Sequence, residues 1–193
     1  MYVNPLVERQ GTMVALVPPS TRYRESYLDA LAEYRAEGAP PTLSEMIESD
    51  GFDAFVAELH ARSDPATAPE GYVPRTTWWL MDGDRYLGRI AIRHDLNAEL
   101  RLWGGHVSYD IRPSERRKGF GTQQMKLGLQ KARDLGHERV LVMCDDTNTG
   151  STRIIEANGG VLGDVIDSPE GVDEGNGPFR IRRYWIECRL PAP

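Results

Sequence analysis

The residues best suited to chemistry crowd into one stretch, residues 104–135. Arg116, Arg117 and Lys118 are followed by Gly119, Phe120, Gly121 and Thr122, and then by a helical pattern through Met125, Leu127, Leu129, Ala132 and Leu135. Cations and glycines directly before a helix start favour an anion, because the first-turn amides lack partners and the helix dipole is positive there. Glycine also lets a phosphate approach the backbone without meeting a Cβ. The turn therefore reads as a diphosphate cradle. Proton-transfer candidates lie around it. His106 opens a short β-rich run, His94 closes the run before, and both imidazoles titrate near neutrality. Tyr109 could donate a proton, and Asp145 and Asp146 follow another apolar run. Each also has a plain structural explanation: a histidine hydrogen-bonded at a strand end, a tyrosine in the core, an aspartate pair shaping a turn.

The elements that would position these groups follow from periodicity. Residues 12–17 form a short apolar run stopped by Pro18 and Pro19, the first expected strand. Ser20 or Thr21 can cap a helix carrying Tyr23, Tyr27, Leu28, Leu31 and Tyr34. A second helical stretch opens at Thr42 or Ser44 and is broken at Gly51. From residue 76 the period becomes two: strands over 76–81 and 85–93 around a tight turn, an irregular link over 94–103, and a central strand over 106–111. After the glycine turn and its helix come a strand over 140–146, Asn148 to Ser151 opening a short helix, and strands over 161–166 and 179–190.

At 193 residues the chain suits one domain, 1–193, with a sizeable core. Within it, residues 12–75 hold the first strand and two helices, 76–163 the central unit, and 164–193 the last strands. A net charge of −6 argues against general nucleic-acid binding. No apolar run approaches the roughly 20 residues a membrane span needs, and no signal-peptide pattern opens the chain. Two unpatterned cysteines, Cys144 and Cys188, suggest neither a disulfide framework nor a zinc site, so a reducing cytoplasm is the default and no metal is expected.

The motif Arg116-x-x-Gly119-x-Gly121, following a strand that ends in Asp110-Ile111-Arg112-Pro113, resembles the coenzyme-A-binding motif of the GCN5-related N-acetyltransferases, the GNAT superfamily. Residues 140–146 with Asn148, Ser151 and the glycines at 159 and 160 look like that family's fifth strand and following helix. The resemblance is close over about residues 76–163. It implies an α/β (α+β) GNAT fold: a mixed, mostly antiparallel sheet of about seven strands, about four flanking helices, and a splay between the fourth and fifth strands. It implies acetyl-CoA as cofactor and an acetyltransferase as activity. The pyrophosphate would lie on the amides of Arg116, Arg117, Lys118, Gly119, Phe120, Gly121 and Thr122. The pantetheine arm would lie along Tyr109, Asp110 and Ile111, with Asn148 and Ser151 at its far end.

The same resemblance leaves the acid and base open. The tyrosine the family often carries on the helix after Asn148 is replaced by Ile155, and the glutamate of one branch falls at Gly105. His106, His94, Tyr109 and Asp145 remain the catalytic candidates. The expected partner is a small-molecule amine, with direct transfer in a ternary complex; a homodimer is compatible with the reading. Residues 25–70 hold eleven acidic residues against two arginines and no lysine, so an acidic wall on the acceptor side would attract a cationic amine. The alternatives are a non-catalytic acyl-CoA sensor and a protein or peptide N-acetyltransferase.

Overall fold

The alternation that begins near residue 76 builds the middle of a seven-stranded sheet. The computed structural model describes residues 14–38, 44–67, 71–168 and 179–188. In it β2 (Arg75–Asp82) and β3 (Arg85–Arg93) form a hairpin turned at Gly83, whose φ of 59° suits glycine. β1 (Ala15–Val17) pairs with β2, so the strand expected over 12–17 is shorter, and residues 12 and 13 lie outside those described. β4 (Val107–Ile111) lies on the other side of β3, followed by β5 (Arg139–Asp145), β7 (Arg180–Glu187) and β6 (Val161–Asp167). The order is β1-β2-β3-β4-β5-β7-β6, antiparallel throughout except for β4 beside β5.

Helices cover both faces. α1 (Arg24–Ala36) and α2 (Ser44–Ala61) enclose an aromatic core with β2 and β3, in which Tyr27 stacks on Trp79 at 4.9 Å. α2 is bent at Gly51, as its position in the pattern suggests, with φ 86°. The opposite face carries α4 (Phe120–Asp134) and α5 (Thr149–Ala157) over Trp78, Ile90, Val107, Met125, Val142 and Ile155. The stripe that α4 buries is Gly121, Gln124, Met125, Gly128 and Ala132, whereas Leu127, Leu129 and Leu135 are only half-buried. Both Trp78 and Trp79 belong to the core, one on each face.

The irregular link expected over 94–103 contains a helix, α3 (Ala98–Leu102), capped where the Leu100 amide donates to Asn97 Oδ1 at 2.9 Å. Five residues are too few to show a period, and only the Asn97 cap could have announced it. Among the described residues no helix is long and apolar enough to cross a membrane, and no cluster suited to a metal ion occurs.

Candidate active site

The sheet is forked at its centre. β4 and β5 pair at one position, Val107 with Val142, and diverge toward Ile111. The closed end is fastened by His106, whose amide donates to the Leu141 carbonyl at 2.7 Å while its Nδ1 accepts the Leu141 amide at 2.8 Å. The Arg93 amide donates to His106 and the Arg112 amide to Leu87, so alternation turns the amides of Tyr109 and Ile111 away from β3 and into the fork.

The glycine turn lies beyond the open end. Among the described residues, no amide from Arg117 through Thr122 donates to a backbone carbonyl. Gly119 is the N-cap, with φ 88° and open space where a Cβ would be. Gly121 also meets a packing need that the sequence does not show. A Cβ there would sit 2.5 Å from Ile154 Cδ1, so this glycine lets α4 approach α5. The three cations also divide. Arg116 donates to the Ile111 carbonyl and, at 2.7 Å, to Glu37, and Lys118 pairs with Glu115 at 3.0 Å. Glu115 also binds Arg85. Arg117, with φ 62°, has no ion pair among the described residues. The anion-binding capacity of the turn therefore rests mainly on its amides.

α1 latches this turn to the sheet. Glu33 accepts from Arg112 Nε at 2.7 Å and from the amide and hydroxyl of Ser114 at 2.9 and 3.1 Å. Burial alone would raise the Glu33 carboxyl, but these hydrogen bonds outweigh it and hold it at about 2.

Tyr109, with Ile154 and Cys144, packs against the core on the α4–α5 face of the sheet. Its buried hydroxyl is aligned with no partner in a full hydrogen bond, though the Ser151 hydroxyl lies close enough to act on it. Burial pushes its pKa to about 12, against the pull of the Ser151 hydroxyl. Asn148 caps α5 by accepting the Ser151 amide at 2.9 Å. Ile155 is fully buried beneath, part of the packed core.

The other acid–base candidates are engaged elsewhere. His106 is buried, its Nδ1 is occupied, and burial and the neighbouring His137 push its pKa down to about 4. His94 Nε2 lies 2.8 Å from Thr76 Oγ1, and burial lowers its pKa too. Asp145 Oδ1 accepts both the amide and the hydroxyl of Thr147, the turn-forming arrangement. A Cβ at Gly105 would meet the Leu141 carbonyl at 2.5 Å, and φ there is 64°, so the glutamate of the other branch has no room.

One set of contacts escaped the sequence. The Asp110 side chain, on the α1 face of β4, accepts from Tyr34 Oη at 2.6 Å and pairs with Arg89 Nε at 2.7 Å. Tyr34 is 76 residues away, beyond any local pattern. On this same side part of the acidic excess of residues 25–70 is taken up. Glu33, Glu37, Asp53 and Glu58 all hold arginines, which offsets four of its charges.

The cradle, the fork and the orphaned phenol together suit a long phosphorylated thioester, and comparisons agree. The family model described as an acetyltransferase (GNAT) domain matches residues 22–161. None of the curated proteins matches the chain. Among solved structures, yncA of Salmonella typhimurium, described as an acetyltransferase with its cofactor acetyl-CoA, is 13% identical with a TM-score of 0.61, covering 93% of this chain and 96% of its own. The microcin C7 self-immunity acetyltransferase MccE, solved with acetyl-CoA and AMP, is 16% identical with a TM-score of 0.61, covering 92% and 93%. A Salmonella typhimurium acetyltransferase that modifies the N-terminal serine of ribosomal protein L7/L12 is 13% identical with a TM-score of 0.61, covering 94% and 97%. At these identities the structural likeness is one of fold, and the family match carries the assignment: the chain belongs to the GNAT acetyltransferases.

Proposed function

We propose that the chain moves an acetyl group from acetyl-CoA to the amine of a small-molecule acceptor, by direct transfer in a ternary complex. The observation that carries this reading is the run of unpartnered amides from Arg117 to Thr122 at the open end of the β4–β5 fork. Acetyl-CoA, when bound, supplies an acetyl group already activated as a thioester. The amides of residues 117–122 would hold its diphosphate. The amides of Tyr109 and Ile111 would pair with the pantetheine arm and stabilise negative charge developing on the acetyl oxygen. The Tyr109 hydroxyl, protonated at neutral pH and committed to no full hydrogen bond, would give its proton to the departing thiolate. It thus takes the part that Ile155 cannot play.

His106 would close the fork rather than take the amine's proton, since its acceptor nitrogen is committed to the Leu141 amide. The acceptor then enters as the free amine, and the proton its nitrogen sheds on acylation returns to the Tyr109 phenolate left by protonation of the thiolate. Much of the acceleration comes from holding thioester and amine in one cleft.

The test is thiol release from acetyl-CoA across a panel of amines, run beside calorimetric titration with CoA. Turnover with at least one amine is the expected result. CoA binding without turnover on any amine would favour a sensor, and absence of CoA binding would remove the reading altogether.

A further inference from the structure

A cavity of about 650 Å³ lies where the end of α2, the start of β2, the end of β3 and α3 meet. That volume suits a small ligand. Its charged lining is Arg62, Arg75, Arg93, Glu58 and Glu99. Glu58 already holds Arg62 at 2.8 Å, which leaves the other two arginines to be accounted for. Arg75 and Arg93 stand directly opposite each other in the β2–β3 register, so their side chains share a face. Like charges in that relation destabilise a sheet unless something neutralises them. Arg93 donates to the carbonyls of Gly104 and Gly105, at 3.3 and 2.8 Å. Arg75 is half-buried, and among the described residues its guanidinium makes neither hydrogen bond nor ion pair. Burial, then the nearby Arg62, Arg89 and Arg93, depress its pKa to about 10, against the opposing charge of Glu58. Glu99 is exposed and reaches neither arginine as an ion pair.

We infer that this cavity binds an oxyanion, a carboxylate or phosphate, held mainly by Arg75 with Arg93 beside it. Its place says whose anion it is. Arg75, Arg89 and Arg93 lie on the α1–α2 face, and the Arg93 amide is bonded to His106. His106 precedes Ser108, where the fork opens, by two residues, roughly 7 Å along a strand. Arg75 is itself two strand spacings from β4, roughly 10 Å, so a molecule with its anion on Arg75 and its amine at the fork spans roughly 12 Å between backbones, a distance the long arginine side chain shortens. Resting on the transfer reading above, the acceptor is an amine that also carries a carboxylate or phosphate.

The experiment keeps the two readings apart. CoA-saturated protein, whose phosphate cradle is already filled, is titrated with inorganic phosphate and with acetate while the arginine Nε–Hε resonances are followed by NMR. Saturable shifts of the Arg75 signal, with phosphate binding lost in Arg75→Gln, are expected; shifts that do not saturate, or binding unchanged in Arg75→Gln, would overturn the site. Retained CoA affinity in the variant shows that it is folded. In the kinetic arm, each amine of the panel is offered as its carboxylate and as the corresponding primary amide. Loss of one charge-assisted contact predicts a preference for the carboxylate of about tenfold or more in kcat/KM, collapsing in Arg75→Gln. Equal rates for acid and amide would overturn the acceptor assignment. Saturable anion binding without turnover on any amine would count against transfer and leave the oxyanion site standing.

Discussion

Tyr109 and Gly119 carry different halves of the proposed chemistry and can be separated by measurement. Tyr109→Phe removes a hydroxyl with at most a loose contact to Ser151 to lose, so the fold should tolerate it. General-acid catalysis contributes about 10²–10⁴-fold, and kcat should fall into that range while the affinity for CoA stays near wild type. Unchanged kcat would assign the thiolate's proton to another source. Gly119→Val acts on the other half. A β-branched residue at φ 88° is strained by about 1–3 kcal/mol, and relief of that strain would disperse the neighbouring amides. The dissociation constant for CoA should rise about ten- to hundredfold, read by calorimetry. Gly121→Ala should behave otherwise: the end of the Ile154 side chain must move, so thermal stability falls more than CoA affinity does. A larger loss of CoA affinity at 121 than at 119 would reverse these roles.

At the scale of elements, the cradle depends on a helix far from it in sequence. Glu33 on α1 ties down Arg112 and Ser114, just before the phosphate turn. Glu33→Gln leaves the buried Arg112 guanidinium without its counter-charge, so stability should fall by about 1.5–3 kcal/mol. The carboxyl is held at about 2 against an ordinary 4.5, so its contribution is complete above pH 4.5 and disappears as pH falls toward 2. Urea midpoints of wild type and variant should therefore converge over that interval; a constant gap would place the loss in packing instead. None of this latch is legible in the sequence, because Glu33 and Arg112 are joined only by the fold. What could be read were local patterns: the alternation of β2 and β3, the glycine turn before α4, the Asn148 cap and the break at Gly51. What could not be read were α3, too short for a period, the packing duty of Gly121, and the partners of Asp110, Arg116 and Lys118, each supplied by tertiary contact.

For the molecule as a whole, the groups that close the fork also set its tolerance of acid. Burial, with His137, Arg101 and Arg93 adding positive potential and only Asp95 opposing, lowers the His106 pKa to about 4, against 6.5 for an ordinary histidine. Between those values the unfolded chain binds a proton that the folded chain does not, so stability falls as pH drops from 6.5 to 4, by up to about 1.4 kcal/mol per pH unit from this group. His94, also lowered by burial and by His137, adds in the same direction. His106→Asn retains a side-chain acceptor for the Leu141 amide but cannot titrate. Its stability should decline less steeply than that of wild type over this interval, measured by urea unfolding at pH 7, 5.5 and 4.5; parallel declines would mean that His106 is not the titrating group. Because His106 bonds to both the amide and the carbonyl of Leu141, its protonation loosens the point from which β4 and β5 diverge. Acid inactivation should then coincide with loss of CoA binding and of tertiary structure. Activity that titrates away while near-ultraviolet circular dichroism and CoA affinity stay constant would point to a catalytic base and against this structural role for His106.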